Sequence, residues 1–159
     1  MSVAFTKEQD AESAAADLPD RPISPHPNLV TAEGLARLEA ALAAARAAYS
    51  LAKSSADVQA DRTPLARATR DLRYCIARRA SAQRVEFNPS AGIVRFGAAV
   101  TFAREDGRQE TFHIVGEDEA EPAAGAVSYI SPLARALLGK CVGDTAMVGA
   151  GEVEIIAIA

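Results

Sequence analysis

Mostly apolar residues recur at alternating spacings of three and four in two stretches of the first half of the chain. The first stretch contains Leu35, Leu38, Leu42, Ala45, Tyr49 and Ala52, and the second contains Leu65, Ala68, Leu72, Cys75, Arg79 and Ala82. This spacing gives a helix one apolar seam, as in a coiled coil. Because only a short polar connection separates the stretches, we predict two antiparallel helices packed seam to seam.

Capping signals set the expected ends of these helices. Thr31 is a suitable N-cap for the first helix, which we expect to end near Lys53. Thr63 as N-cap and Pro64 at the first helical position begin the second helix, which we expect to run to Arg84. The polar residues between the helices would form the tip of this helical hairpin.

After Val85 the pattern changes to alternating apolar and polar residues, which is typical of strands. The tight turn at Asp106-Gly107 predicts a β-hairpin. Ser131 and Pro132 are suited to begin one short helix. The predicted strands are Ile93–Phe96, Ala98–Arg104, Gln109–Val115, Ala126–Ile130, Thr145–Val148 and Glu152–Ile158. The fold class is therefore α+β, a helical hairpin followed by an antiparallel sheet with one short helix.

Three segments follow from this pattern. Residues 1–30 form an acidic, Pro-rich tail, residues 31–87 the hairpin, and residues 88–159 the sheet domain. Four prolines between Pro19 and Pro27 exclude a helix there. We expect the tail to be disordered at its start and laid along the protein near Pro19–Pro27.

Charge is unevenly distributed over these segments. The net charge of −4 divides into 2 − 5 = −3 for residues 1–30, 10 − 6 = +4 for 31–87 and 5 − 10 = −5 for 88–159. Arginines on the second helix could bind phosphates or RNA, or an acidic protein surface, with Arg62, Arg67 and Arg70 as candidates for phosphate or RNA. Arg73, Arg78 and Arg84 are also expected to face outward. Solvated helix faces that happen to carry arginine explain the charge equally well. Tyr74 is the only aromatic residue among these arginines, and a single ring argues against a base-stacking platform.

Few residues suggest catalytic chemistry. Cys75 and Cys141 form no CxxC pair, so we expect both to be small buried hydrophobes in a reducing cytosol. His26 lies in the Pro-rich segment and His113 on a predicted strand, each without an orienting partner in the sequence. Residues 1–20 lack the apolar core of a signal peptide, and no apolar run is long enough to span a bilayer. We expect a cytoplasmic protein without membrane contact, and its oligomeric state stays open.

Several motifs resemble the bacterial Gre transcript-cleavage and elongation factors, GreA and GreB. They are Thr31–Gly34, Val94–Ala98, Ile114–Ala120, Ile130–Lys140, Val142–Asp144 and Gly151–Val153, in the family's order. The resemblance covers roughly residues 30–159 and is strongest in the C-terminal part. It implies a coiled-coil hairpin with an FKBP-type domain, in a DNA-binding transcription elongation factor that docks at the secondary channel of RNA polymerase. It implies docking through Ile130, Ser131, Pro132 and Arg135, although some members carry an acid where Ile130 stands here.

The tip departs from the family's pattern. Gre factors carry a Gly-Asp, two residues, Glu-Asn string whose acids help hold Mg²⁺ in the polymerase active site, so the factor itself is not an enzyme and needs no cofactor of its own. This tip offers Asp57 and Asp61, four residues apart, as surrogate ligands or as loop-capping acids. The hairpin also looks shorter by about 11 Å. A short hairpin resembles the nucleoside diphosphate kinase regulator class, which implies a regulator that does not stimulate cleavage.

Two other functions remain as alternatives. An FKBP-type domain could be a prolyl isomerase, but that activity needs an aromatic-walled pocket, and residues 88–159 contain only Phe96, Phe102, Phe112 and Tyr129 as aromatics. The chain could instead be a nucleic-acid-binding module acting through its second helix, for which the overall acidic charge is a poor match.

Overall fold

A computed structural model describes residues 18–56 and 61–159. The helices are α1 (Ala32–Ala56), α2 (Thr63–Ser81) and α3 (Pro132–Leu137). The strands are β1 (Leu29–Val30), β2 (Gln83–Arg84), β3 (Ala99–Arg104), β4 (Gln109–Val115), β5 (Ala126–Ser128), β6 (Thr145–Val148) and β7 (Gly151–Ile158). The chain divides into two compact units. The hairpin unit contains residues up to His26 and Leu38–Ser81; the sheet unit contains Pro27–Arg37 and Ala82–Ala159.

Within the hairpin unit, α1 and α2 pack antiparallel, as the seam predicted. Near the base, Arg79 Nη2 donates to Glu39 Oε1 at 2.7 Å, and near the tip residues of both helices line one cleft, including Leu51, Leu65 and Ala68. The predicted seam residues of α1 in this unit are all buried or half-buried, while most of their neighbours are exposed. At 25 and 19 residues, the helices are about 37 and 28 Å long.

The second helix ends three residues before the predicted Arg84. Gln83 and Arg84 instead form β2, which pairs in parallel with β1. Gln83 N donates to Asn28 O at 2.8 Å and Val85 N donates to Val30 O at 3.0 Å. These partners lie more than fifty residues away in the sequence, so helical periodicity carried no sign of them.

Part of the tail lies on α2, as expected for Pro19–Pro27. Arg73 Nη1 lies 3.2 Å from Asp20 Oδ1, and Arg21 Nη1 lies 3.5 Å from Asp71 Oδ1. The Arg21 guanidinium also sits 3.8 Å from the centre of the Tyr74 ring. A cation over an aromatic face adds to such exposed ion pairs, which are weak by themselves. The expected disorder at the start of the tail concerns residues outside the described part of the chain.

The sheet unit contains a five-stranded sheet of order β5-β4-β3-β7-β6. The prediction of a wholly antiparallel sheet is wrong at one edge, because β5 pairs with β4 in parallel. Single turns of 3₁₀ helix at Glu117–Glu119 and Pro122–Ala124 carry the chain back between these two strands. The predicted strand at Ile93–Phe96 is also wrong, since only Ile93 makes a bridge, to Cys141.

The core lies between this sheet and α3. Val100 and Phe102 alternate with half-buried residues along β3 and are fully buried, as the period-two pattern predicted. On α3, Ala134 and Leu137 are fully buried in the same cluster, because they share one face three residues apart. The other fully buried members of this cluster are Val94, Ala98, Ile114, Val153 and Ile155.

The two cysteines differ in their exposure to solvent. Cys75 is half-buried, but Cys141 is exposed, so the prediction that both are buried hydrophobes is wrong for Cys141. Its backbone N–H donates to Asp144 Oδ2 at 2.7 Å, which places Cys141 in a surface turn rather than in the core. In the part of the chain that the structure describes, no helix is both long and apolar enough to cross a bilayer.

Replacing Gly107 by alanine should lower the free energy of unfolding by about 1 kcal/mol, because the left-handed conformation strains a residue with a Cβ. Gly107 ends the Asp-Gly turn between β3 and β4 with a φ of 82° and has open space around its Cα. Gly151→Ala is the matched control, since Gly151 also faces open space but has no positive φ. Urea denaturation of both variants measures the difference, and equal effects would contradict this explanation.

Candidate functional site

A short loop between β5 and α3 brings the four predicted docking residues together. Ser131 is the N-cap of α3, and its hydroxyl accepts a hydrogen bond from Ala134 N at 3.2 Å. Pro132 follows in the first turn, where its missing N–H costs nothing. Pro132 and Arg135 are exposed, whereas Ile130 and Ser131 are half-buried. The loop therefore offers an apolar ring and a cation on a rigid helix start.

An aromatic pair holds the other end of this loop. The Tyr129 ring meets the Phe96 ring edge-on, with centroids 5.7 Å apart, and its hydroxyl donates to Pro27 O at 2.6 Å. Sequence reasoning had noted Tyr129 only as one of few aromatics. Its position next to Ile130 was the available signal, because a large side chain beside an exposed loop is well placed to anchor it.

At the tip of the hairpin unit, Asp61 is exposed and caps α2. Its Oδ1 accepts a hydrogen bond from Thr63 N at 2.9 Å. Thr63 is the first residue of the helix rather than the residue before it, so the prediction that Thr63 is the N-cap is wrong. Asp61 also borders the cleft of about 340 Å³ between the helices. Asp57, the other candidate acid, lies outside the described residues.

Hydrogen bonding by the Thr63 side chain, followed by the Thr63 backbone N–H, lowers the pKa of Asp61 below its ordinary value of 3.8. The carboxylate therefore stabilises the folded state above pH 3.8, and this contribution is lost as pH falls through the lowered pKa. We expect an NMR titration to give a value below 3.8 for Asp61 and a higher one in Thr63→Val. Thr63→Ser should keep the low pKa, and an unchanged pKa in Thr63→Val would contradict the assignment.

The candidate phosphate-binding arginines do not form one free cationic face. Arg67 is exposed and Arg62 is half-buried. Arg70 is half-buried as well, with its Nε 3.5 Å from Asp71 Oδ1. The prediction that Arg78 faces outward is wrong, because its side chain is 2% exposed. It directly precedes the seam residue Arg79, so it flanks the seam rather than the solvent-facing side.

The two histidines, which the sequence left without a catalytic partner, lie in different units. His113 lies on β4 with Nε2 2.9 Å from Gly97 O, and His26 is exposed, with its backbone N–H 3.3 Å from Ser24 Oγ. Among residues 18–56 and 61–159, no three His, Cys, Asp or Glu side chains come together in a way that could hold a metal ion.

Residues 89–159, which contain the loop and the aromatic pair, match the family model described as transcription elongation factor GreA/GreB, C-terminal. This part of the chain is similar to the C-terminal domain of GreA and GreB, and we refer to residues 89–159 as the GreA/GreB domain. The chain is similar to transcription elongation factor GreA from Maricaulis maris, with 47% identity over 73 residues covering 45% of this chain and 46% of that protein. GreA from Methylobacterium nodulans is 49% identical over 74 residues, covering 43% and 47%.

The chain thus spans about half the length of the curated relatives it matches. Among solved structures, GreA factor homolog 1 (Gfh1) of Thermus thermophilus is 21% identical, with a TM-score of 0.41 over 84% of this chain and 99% of that one. The predicted resemblance is confirmed for the GreA/GreB domain, which carries all four docking candidates.

Proposed function

We propose that the protein binds RNA polymerase at the rim of its secondary channel and modulates transcription elongation. The observation that carries this proposal is the match of residues 89–159 to the GreA/GreB family model. It is supported by identities of 47% and 49% over 73 and 74 residues to proteins named transcription elongation factors. The family model does not cover the helical hairpin. The proposal for the whole chain therefore also depends on the exposed loop at the start of α3 and on the hairpin tip.

The GreA/GreB domain supplies the docking end of the proposal. Pro132 and Arg135 are exposed at the start of α3, while Ala134 and Leu137 fasten that helix into the core. A preordered loop loses little conformational entropy on binding. The arginine can make forked hydrogen bonds to a carboxylate on the polymerase surface. This combination suits recognition of a folded protein surface bearing an acidic group.

The hairpin supplies the second end. Its two helices are narrow because small alanine side chains occupy much of their sequence, and its tip exposes the Asp61 carboxylate. A narrow rod with an acid at its end suits entry into a channel that leads to bound Mg²⁺. If Asp57 and Asp61 contribute ligands there, the ion and the cleavage chemistry belong to the polymerase.

A regulator that does not stimulate cleavage is the second candidate, and the capping role of Asp61 favours it. The Asp61 carboxylate already accepts the Thr63 N–H, which gives this acid a structural function independent of metal binding. Together with the short hairpin predicted from the sequence, this capping role supports a factor that occupies the channel and alters elongation without delivering a metal ligand.

Binding to core RNA polymerase tests the proposal directly. The labelled full-length protein is titrated with core polymerase, and a known secondary-channel factor is then added as a competitor. We expect association at about micromolar concentration or tighter and displacement by the competitor. Absence of binding at micromolar polymerase would overturn the proposal, and binding without competition would place the protein elsewhere on the enzyme.

Cleavage is tested on a backtracked elongation complex. Shortening of the RNA that is lost when Asp57→Ala and Asp61→Ala are combined would support the metal-ligand role. Asp61→Asn separates the two roles of that residue, because asparagine can still cap a helix but lacks the charge that favours Mg²⁺. If the unmodified protein binds but does not shorten the RNA, the non-cleaving regulator is the correct reading.

A further inference from the structure

Glu119 is a buried acid that belongs neither to the docking loop nor to the hairpin tip. It lies in the 3₁₀ turn Glu117–Glu119 between β4 and β5 and is 6% exposed. Its Oε2 accepts from Thr31 N at 3.0 Å and from Gly116 N at 3.2 Å, and its Oε1 accepts from the Thr31 hydroxyl. Hydrogen bonds to an ionised acceptor are stronger than neutral ones, so this carboxylate is a firm attachment point.

The partner of Glu119 is the N-cap of α1. The Thr31 hydroxyl accepts a hydrogen bond from Gly34 N at 3.0 Å, and Thr31 O accepts from Leu35 N at 2.9 Å. Thr31 therefore donates to the carboxylate while it caps the helix. One side chain links the beginning of α1 to a turn 88 residues farther along the chain.

Gly34 makes room for this arrangement. A Cβ added at Gly34 would collide with the Glu119 carboxylate, which lies directly against the first turn of α1. The backbone angle of Gly34 is not in the left-handed region, so the need for glycine is steric rather than conformational. Thr31, Gly34 and Glu119 thus depend on one another, and all three belong to the sheet unit.

We propose that Glu119 is a positioning residue that fixes the first turn of α1 on the GreA/GreB domain, and that the effect on elongation depends on it. This inference rests on the proposed function. Because the hairpin's first helix begins in that turn, releasing the turn leaves the start of the helix without its fixed attachment. The docking loop does not include these residues, so polymerase binding and the elongation effect should separate.

Two variants weaken the attachment from opposite sides. Glu119→Met deletes both oxygens with a side chain of similar length, and Thr31→Val deletes only the hydroxyl. Thr31→Ser restores the hydroxyl and should behave like the parent. Glu121→Met is the matched control, because it makes the same substitution at an exposed acid two residues away.

Hydrogen exchange and elongation assays on the full chain provide the two readouts. In Glu119→Met and Thr31→Val, the amides of Gly34 and Leu35 should exchange at least about tenfold faster, since a charge-assisted hydrogen bond is lost. Amides of β3 should keep their protection. The effect on elongation should fall at least about tenfold, while the Kd for core polymerase changes less than about threefold.

Each other outcome has a defined meaning. Unchanged exchange rates at Gly34 and Leu35 in both variants would contradict the claim that Glu119 holds the first turn of α1. A parallel loss of polymerase affinity and of the elongation effect would contradict the positioning role. If Glu119→Met unfolds the sheet, seen as lost protection in β3, Thr31→Val decides alone. If the parent protein does not bind polymerase, the proposed function fails and the positioning role falls with it, whereas the exchange result still decides whether Glu119 holds the turn.

Discussion

Phe102→Ala should lower the free energy of unfolding of the sheet unit by about 3–5 kcal/mol, the range typical for removing a buried phenylalanine. The Phe102 side chain is fully buried in the centre of β3 and stacks with the Phe112 ring at a centroid distance of 6.0 Å. The substitution removes apolar contacts and leaves a cavity that rigid neighbouring strands can fill only in part. Urea denaturation followed by circular dichroism measures the loss.

Met147→Ala is the control for this prediction. Met147 is on the edge strand β6 and is 60% exposed, so its truncation should change the free energy of unfolding by no more than about 0.5 kcal/mol. A similar loss in the two variants would mean that burial does not determine the stability of this unit and would contradict the assignment of the core.

Arg135→Glu should weaken binding to core polymerase by at least about tenfold, because a charge reversal at the proposed docking contact would replace attraction with repulsion. Arg135 is exposed on the first turns of α3, next to Pro132. The Kd is measured by titration at two salt concentrations, and the difference between variant and parent should shrink at the higher one because salt screens exposed charges.

Two further variants make this test specific. Arg108→Glu reverses a charge in the turn between β3 and β4 of the same domain and should bind like the parent. Ser131→Asp keeps a residue that can cap α3, so its helix should remain intact while the hydroxyl is lost from the docking loop. Equal weakening by Arg135→Glu and Arg108→Glu would point to overall charge and would remove Arg135 from the docking surface.

Local patterns predicted the elements whose partners lie close in sequence. The seam through Leu38, Leu42 and Tyr49 and the turn at Asp106-Gly107 were sufficient to predict the helical hairpin and the β3–β4 pair. In both cases a short connection leaves the chain few ways to bury its apolar face. The short helix after Ser131 was predicted for the same reason, since its cap and its proline are adjacent.

Contacts between distant segments were not predictable in this way. The parallel pairing of β5 with β4 depends on how the chain returns through Glu117–Ala124, and neither strand's alternation specifies a direction. The pairing of β1 with β2 and the contact of Thr31 with Glu119 join segments that no periodic pattern connects. The motifs containing Thr31 and Glu119 both resemble Gre factors, but the sequence does not indicate that these two residues are in contact. Only the folded structure shows that hydrogen bond.

The candidate site was predicted unevenly. The four predicted docking residues lie together in the structure because they are consecutive or nearly so in the sequence, and their docking role stays a prediction. The tip was harder, since Asp61 had two possible roles there and its capping of α2 depends on where that helix begins. The roles of Asp57 and Asp61 at a polymerase-bound Mg²⁺ stay predictions until the cleavage assay is done.

One of the boundaries between the two units falls inside α1, after Arg37, rather than in a loop. Thr31 and Gly34 therefore belong to the sheet unit, whereas the residues of α1 from Leu38 onward pack against α2. Insertions or deletions of whole heptads in both arms, made beyond residue 38, would preserve the seam and leave the anchored turn untouched. The length of the helical hairpin can therefore be changed without altering the turn at Thr31. Variants with longer helices would test how the proposed reach of the tip into the polymerase channel depends on that length.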